Sequence, residues 1–555
     1  MSDRKRPKTR ETADRTTSRR EILRIGTALI PAGIFLPAWL TAAAQTSSSF
    51  DFYISTTGSD SNPGTLSQPW AITSLINASQ NAYNAANWTK MSGKRIGLLP
   101  GTYNVSAYMK PSSWTGALQL PGGTSSASTY LASSDSSGQY SRGTATITAL
   151  SSGGIYGGFA GYAYNGPILA NTGYTYTGGY LTIDGVSFTG YSYKGVRIGG
   201  ASASDGPANL PNVIIQNCEF YGGKANPGTT SDNCSSLWID GCVSALVTNN
   251  YFHDFVGSDP EHTAGLIAFT CQQCIVQYNT FVNTGCVYGK IGGNQGNIVR
   301  YNYIDGSTES GSPAGMYGIL DWSGDFGTEG TVQVVQPSYI YNNIVLSDSF
   351  GIALFNTSSY AYGWICPVYC YNNTIVLTPA SGTNVYPAIW IVSEKAYVTR
   401  GIRCYNNIYS GAADRSGYMS FVTNPTGPAI WDYNMYIPSG MSWALRADSG
   451  LDTVLGTYTT ASAFGAAIAA NGGISGVESH SIAGAPTFTK TGTLAQLYQL
   501  ASGSAGKGAG RVGGVTSGAA CDMGAWGNGA TQIGCNFTSG AAAPAVPMAP
   551  TLSVS

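Results

Sequence analysis

A chain of 555 residues with 43% hydrophobic and 10% charged residues is long enough to bury a large core, yet its 73 glycines make it too glycine-rich and charge-poor for an ordinary helical protein. Strands joined by many turns fit that composition, and 36 tyrosines suit stacked strands. The formal net charge of −1 gives no hint of a polyanion-binding surface.

In chain order, residues 1–44 read as an export signal. "SRREILRIG" (18–26) precedes the apolar "TALIPAGIFLPAWL" and the small-residue run "TAAAQ", the layout of a secretory leader cleaved after Ala44. Arg19 and Arg20 fit the twin-arginine pattern S-R-R-x-F-L-K, with Ile22 in place of Phe and Arg24 in place of Lys. A membrane-spanning helix needs about 20 apolar residues, and this run is shorter. The expectation is a bacterial protein exported to the periplasm, the cell surface or the medium, with no stable membrane anchor after cleavage. Cleavage takes nine Lys+Arg from 27 and four Asp+Glu from 28, leaving 18 basic and 24 acidic residues, a formal net of −6. Nucleic acid is therefore not an expected partner.

The middle of the chain repeats. Aligning "IIQNCEF", "LVTNNYF", "IVQYNTF", "IVRYNYI", "YIYNNIV", "VYCYNNTI", "IRCYNNIY" and "IWDYNMY" gives one column of Cys218, Asn250, Asn279, Asn302, Asn343, Asn373, Asn407 and Asn434, at spacings of 32, 29, 23, 41, 30, 34 and 27. Three places earlier stand Ile215, Val247, Val276, Val299, Ile340, Cys370, Cys404 and Trp431. Two places later stand Phe220, Phe252, Phe281, Ile304, Val345, Ile375, Tyr409 and Tyr436. "LTIDGVSF" supplies an earlier turn through Ile183, Val186 and Phe188. Such short strands cannot bury an apolar face alone, but stacked in parallel about 4.8 Å apart each side chain gains a like neighbour above and below. Asparagine suits the bend by tolerating left-handed backbone angles, and its amide can bond along the stack. Variable spacing above about 22 residues fits three short strands per turn with loops between them. A propeller needs near-constant blades, and leucine-rich repeats need leucines where this chain has Asn and Val.

On these motifs the chain resembles the pectate-lyase-like superfamily, which implies an all-β fold, a right-handed parallel β-helix with capping segments at both ends. "FYISTTGSDSNPGTLSQPWAI" resembles the opening strand of secreted members, and the resemblance implies a capping helix before the first-turn segment "RIGLLPGTYNV". "ESHSIAGAPTF" and "LYQLASGSAGKGAG…CDMGAWG" resemble their closing segments. The expected organisation is an opening strand and capping helix over 45–95, the β-helix over 96–440, a closing segment over 441–536 and a flexible Pro/Ala-rich tail over 537–555.

Eleven cysteines are odd in number. Cys370 and Cys404 fall in the inward apolar column. Cys271 and Cys274 in "CQQC" lack a second Cys or His pair at metal-site spacing, so no metal is expected. Cys521 and Cys535 bracket the closing segment and are the expected disulfide.

Lys290 stands in a charge-poor stretch, "VYGKIGGNQGNIVRYN". If Val287 points into the coil, strand alternation places Tyr288 and Lys290 on the outer face, with Phe269 from the preceding turn nearby and Tyr317 from the next beside Tyr288. Aromatic rings around an outward lysine resemble a sugar-binding cleft. The loop "HDFVGSDPEH" adds His253, Asp254, Asp259, Glu261 and His262 within one turn. A uronate carries a weakly acidic C5 proton beside its carboxylate, so a lyase needs a base and a cation to meet the growing charge. The expected roles are Lys290 as base, His262 or His253 assisting, Arg300 neutralising the carboxylate, and Tyr288, Tyr317, Phe269, Asp259 and Glu261 binding substrate, with no cofactor.

Lys290 before an N-x-x-x-x-N turn is similar to the alginate lyase and chondroitinase B family, in which the lysine is the base. This chain departs from that family by three extra residues after the lysine and by Ile319 to Asp321 where an arginine is expected, and the family's acidic calcium ligands are missing. Asp259 to His262, "DPEH", resembles the D-P-H of mannuronan C5-epimerases with one residue added. The expectation is a monomeric, secreted, polysaccharide-active protein, a lyase on uronic-acid polymers. The alternatives are a glycoside hydrolase drawing a carboxylate pair from Asp254, Asp259, Glu261, Asp321 and Asp325, and a non-catalytic binder stacking sugars on Tyr341, Tyr371 and Tyr405.

Overall fold

The computed structural model describes residues 49–535 except 76–84, 109–117, 119, 149–158, 162–178, 192–193, 200–209, 224–233, 256–262, 270, 291–295, 307–316, 323–335, 349, 357–366, 378–387, 394–401, 412–417, 424–429, 438–441, 447–453, 471–474, 485 and 528. The expected leader and tail lie outside the described residues. No described helix is long and apolar enough to cross a membrane.

Each turn of the coil visits three sheets in fixed order. Val213–Gln216 belongs to the first, Glu219–Tyr221 to the second and Cys234–Asp240 to the third, and Leu246–Thr248 rejoins the first one rung on. Repetition yields twelve, twelve and eleven strands among the described residues, parallel throughout except where Val454–Tyr458 closes the third sheet antiparallel to Ser442–Arg446. This is the right-handed parallel β-helix that the repeat predicts.

The register matches the predicted columns residue by residue. Ile215, Val247, Val276, Val299, Ile340, Cys370, Cys404 and Trp431 pair in succession along the first sheet. Phe220, Phe252, Phe281, Ile304, Val345, Ile375, Tyr409 and Tyr436 do so along the second. Both columns are buried. Phe220, Phe252 and Phe281 stack at 4.7 and 4.6 Å with rings within 7° of parallel, so truncating one to Ala costs about 3–5 kcal/mol.

Between the first and second sheets the chain turns within two residues, and the two do different work. The second is the predicted asparagine column: each Nδ2 donates to the next Oδ1, from Asn250 to Asn279 at 3.0 Å through to Asn407 and Asn434 at 3.2 Å. These residues do not carry the left-handed backbone expected of them. That belongs to the residue before, at Asn217, Asn249, Tyr278, Tyr301, Asn342, Asn372, Asn406 and Tyr433, with φ between 53° and 56°. The ladder asparagines thus serve by bonding along the stack, and their predecessors make the corner.

The outer corner asparagines hold a strap. Residues 486–535 run back along the coil over the corner and the second sheet. Asn406 Nδ2 donates to Arg511 O at 2.7 Å, Asn372 Nδ2 to Asp522 O at 2.9 Å, and Asn342 Nδ2 to Ala525 O at 2.7 Å. Farther back, Gly534 N donates to Tyr301 O at 2.8 Å and Cys535 N to Thr280 Oγ1 at 2.9 Å. Beneath it, Ile344 and Leu346 pack with Ala525 and Ile533, and Ile408 and Met435 with Leu500 and Met523. The expected Cys521–Cys535 disulfide does not form. Cys521 sits at Asn406 and Cys535 at Thr280, four rungs or roughly 19 Å apart, beyond the reach of an S–S bond. Neither is in a disulfide.

At the opening end, Phe52–Ile54 starts the first sheet and the short helix Ala85–Lys90 follows. At the closing end, the helix Ala461–Ala470 sets Phe464 edge-on to Trp431. Ser481 Oγ accepts from Asn434 N at 2.9 Å and so ends the ladder. Glu478 lies fully inside this end, bonded to Tyr436 and Ser481, and burial raises its pKa to about 8.

Candidate functional site

Lys290 ends the third-sheet strand Cys286–Lys290, with its Cα opposite Phe269. The register reaches that position by a different route from the predicted one. Cys286 pairs with Leu266 and Ile319 of the core, so Val287, opposite Ile267 and Leu320, takes the outer-face column and not the inward one. Tyr288 and Gly289 then stand together opposite the single residue Ala268, a bulge that shifts the alternation and returns Lys290 to the outer-face column.

Neighbouring strands bring further chemistry to this corner. Phe269 stacks on Trp238 at 5.4 Å and 25°. Arg197 lies opposite Trp238, and its Nη2 donates to Asp240 Oδ2 at 3.5 Å, while Asp240 is itself opposite Phe269. Trp238 and Phe269 are 5% and 9% exposed, so the pair is a floor and not the bare ring platform expected of Phe269. On this dry floor the charges of Arg197 and Asp240, 15% and 3% exposed, act through a lower dielectric than in water. Sequence reading missed Arg197, Trp238 and Asp240, although the alternation in "LWID" (237–240) marks the last two as one face.

The other predicted residues are dispersed. Arg300 is on the first sheet, 8% exposed, with Nε donating to Gln277 at 2.8 Å and Nη1 to Tyr341 at 2.7 Å. It is a buried tie between rungs and does not share Lys290's face. His253 is on the second sheet, with Nδ1 2.8 Å from Asp254 and Nε2 3.3 Å from Glu219, and its ring stacks against Tyr221 and Tyr251. Burial pulls its pKa down, but the hydrogen bonds with Glu219 and Asp254 outweigh that and leave it raised. Tyr288 opposes Asp321 and Tyr317 opposes Phe350, so the two tyrosines are not neighbours as expected. Asp259, Glu261 and His262 lie outside the described residues. Thr263, next to His262, is six residues along its strand from Phe269, roughly 20 Å.

The alternatives fare as follows. Asp321 is 1% exposed and pairs with Leu354 of the core, whereas Asp254 is 59% exposed on the second sheet, so these two carboxylates share no site. Asp325 lies outside the described residues. Tyr341, Tyr371 and Tyr405 do stack, at 4.8 and 5.0 Å, but Tyr341 and Tyr405 are buried and the strap packs on Tyr405 at Gly514. Among the described residues no group of three or more His, Cys, Asp or Glu could hold a metal ion. Cys242, Cys271 and Cys274 cluster inside the coil with no disulfide among them.

No protein-family model matches the chain, and no curated protein does. Among solved structures it is similar to pectate lyase Pel9A, with a TM-score of 0.39 and 16% identity over 86% of this chain and 95% of that one. An alginate lyase from Paenibacillus sp. str. FPU-7 gives a TM-score of 0.34 and 14% identity over 61% of this chain and 90% of that one. XylC in complex with xylose gives 0.35 and 11% over 70% and 83%.

Proposed function

We propose that the protein is an exported polysaccharide lyase that cleaves a uronate-containing polymer on the outer face of the third sheet, with Lys290 as the base. The observation that supports this reading is the placement of Lys290 opposite Phe269, in the same corner as Trp238 and the Arg197–Asp240 pair. A neutral lysine takes the C5 proton. The C5–H electron pair becomes the C4–C5 double bond, the C4–O bond breaks, and the departing oxygen takes up a proton. Arg300 and His253 have no part in this step, since they stand on other sheets.

The test is Lys290→Ala, assayed on alginate, pectate and glycosaminoglycans by the ultraviolet absorbance of the unsaturated uronate, with reducing ends counted alongside. The expected loss is about 10²- to 10⁴-fold in rate with the fold intact. Parental activity in the variant rejects Lys290 as base. Reducing ends without the absorbance turn the reading to hydrolysis, and retained binding with neither turns it to a binder.

A further inference from the structure

The lyase reading leaves a requirement unmet: a sugar carboxylate beside the reacting carbon needs a cation, and Arg300 is buried on another sheet. The third sheet holds a guanidinium at the same end of its strands. Arg197 stands two residues along the strand from that end, opposite Trp238, but its head leans to Asp240, at the level of Phe269 and Lys290. Asp240's strand is two rungs from that of Lys290, about 10 Å between backbones.

Asp240 explains why the guanidinium is held there. A carboxylate 3% exposed is costly unless a cation faces it, and Arg197, five times more exposed at 15%, is the partner nearer to solvent. The stacked Trp238 and Phe269 stand beside the pair on the same face of the sheet, and at 5% and 9% exposed they are themselves shielded from water. A planar guanidinium fixed by a buried acid is suited to a second, incoming carboxylate, which it meets edge-on with two parallel hydrogen bonds. A neutral sugar offers no such partner.

We infer that Arg197, positioned by Asp240 beside the Trp238–Phe269 pair, is the receptor for a uronate carboxylate and sets the preference of the third-sheet face for acidic over neutral polysaccharide. The inference rests on the proposed placement of substrate on that face, but not on Lys290 being a base.

The experiment is binding, not turnover. Affinity electrophoresis of the full chain is run in polygalacturonate, in alginate, and in the same polymers after chemical reduction of their carboxyl groups. The parent is expected to be retarded by the acidic polymers and not by the reduced ones. Arg197→Ala is expected to weaken retardation by the acidic polymers about ten- to a hundred-fold. Because Arg197→Ala strands a buried carboxylate, the double substitution Arg197→Gln with Asp240→Asn removes both charges together, and it is expected to show the same weakening with a parental thermal midpoint. Equal retardation by acidic and reduced polymers in the parent overturns the inference, as does parental retardation in the double variant. Failure of elimination in the parent, with retardation by the acidic polymers intact, overturns the lyase reading alone.

Discussion

Asn343 sits at the centre of the corner ladder and is fully buried. Its Nδ2 donates to Val299 O at 3.0 Å, to Tyr341 O at 3.1 Å and to Asn373 Oδ1 at 3.0 Å, and its Oδ1 accepts from Asn302 N and Nδ2 at 3.1 and 3.0 Å. Asn343→Leu keeps the volume close and removes all five contacts. It leaves the Asn302 N–H without an acceptor in a dry corner. At about 1 kcal/mol for each bond lost and about 1–3 kcal/mol for a stranded donor, the expected loss is about 6–8 kcal/mol, a large share of a typical domain's stability. Asn434→Leu is the internal control. Its Oδ1 accepts from Asn407 N and Nδ2 at 3.0 and 3.2 Å, but its Nδ2, bonded to Cys404 O at 3.3 Å, has no further asparagine of the ladder to meet, so its loss is smaller. Guanidinium denaturation followed by both tyrosine fluorescence and circular dichroism measures the two. Neighbouring turns of a solenoid are coupled only through their interfaces, so the central variant is also expected to split the transition in two. A loss under about 1 kcal/mol at Asn343, or equal losses at both positions, would refute the reasoning that the ladder is a continuous bonded column.

Glu478 has its pKa raised by burial from 4.5 to about 8, so the native state holds its proton where the unfolded chain has released it. Stability from this group is present below about pH 4.5 and is lost as pH rises through about 8, and Glu478→Gln should flatten that fall in a thermal-midpoint profile. Alkylation of the denatured, unreduced protein should label both Cys521 and Cys535, and a dithiothreitol-independent thermal midpoint is the matching result. Lys290→Ala should abolish elimination while leaving the thermal midpoint within about one or two degrees of the parent.

The coil was legible because its chemistry repeats. An asparagine flanked by apolar residues at fixed offsets has one consistent register, and every predicted pair in those columns is a hydrogen-bonded neighbour. What the repeat could not reveal was which of the two corner residues adopts the left-handed backbone, because Asn stands at both positions in "NN" and Tyr at the first in "YN". The site was less legible for a physical reason. In a coil, residues within one turn of each other in sequence are distributed over three faces, so His253, Lys290 and Arg300 look clustered along the chain and lie on three sheets. The charged pair that shares Lys290's sheet comes from earlier rungs, Arg197 and Asp240, dozens of positions away. The bulge at Tyr288 and Gly289 was invisible to a strict alternation of two.

The strap meets the rungs in reverse order of their synthesis, Asn406 first and Thr280 last. The segment made latest therefore gauges everything made before it. Its carbonyls are spaced to meet amides at successive corners, so a coil that has skipped or doubled a rung presents Asn342 or Asn372 at the wrong height and cannot be fastened along its length. Until fastening succeeds, Ile344, Leu346, Ile408 and Met435 remain bare on the flank of a long sheet, the kind of surface by which unfinished chains adhere to one another. Completion of the coil is thus an event at the strap, and errors in the winding beneath it are reported there.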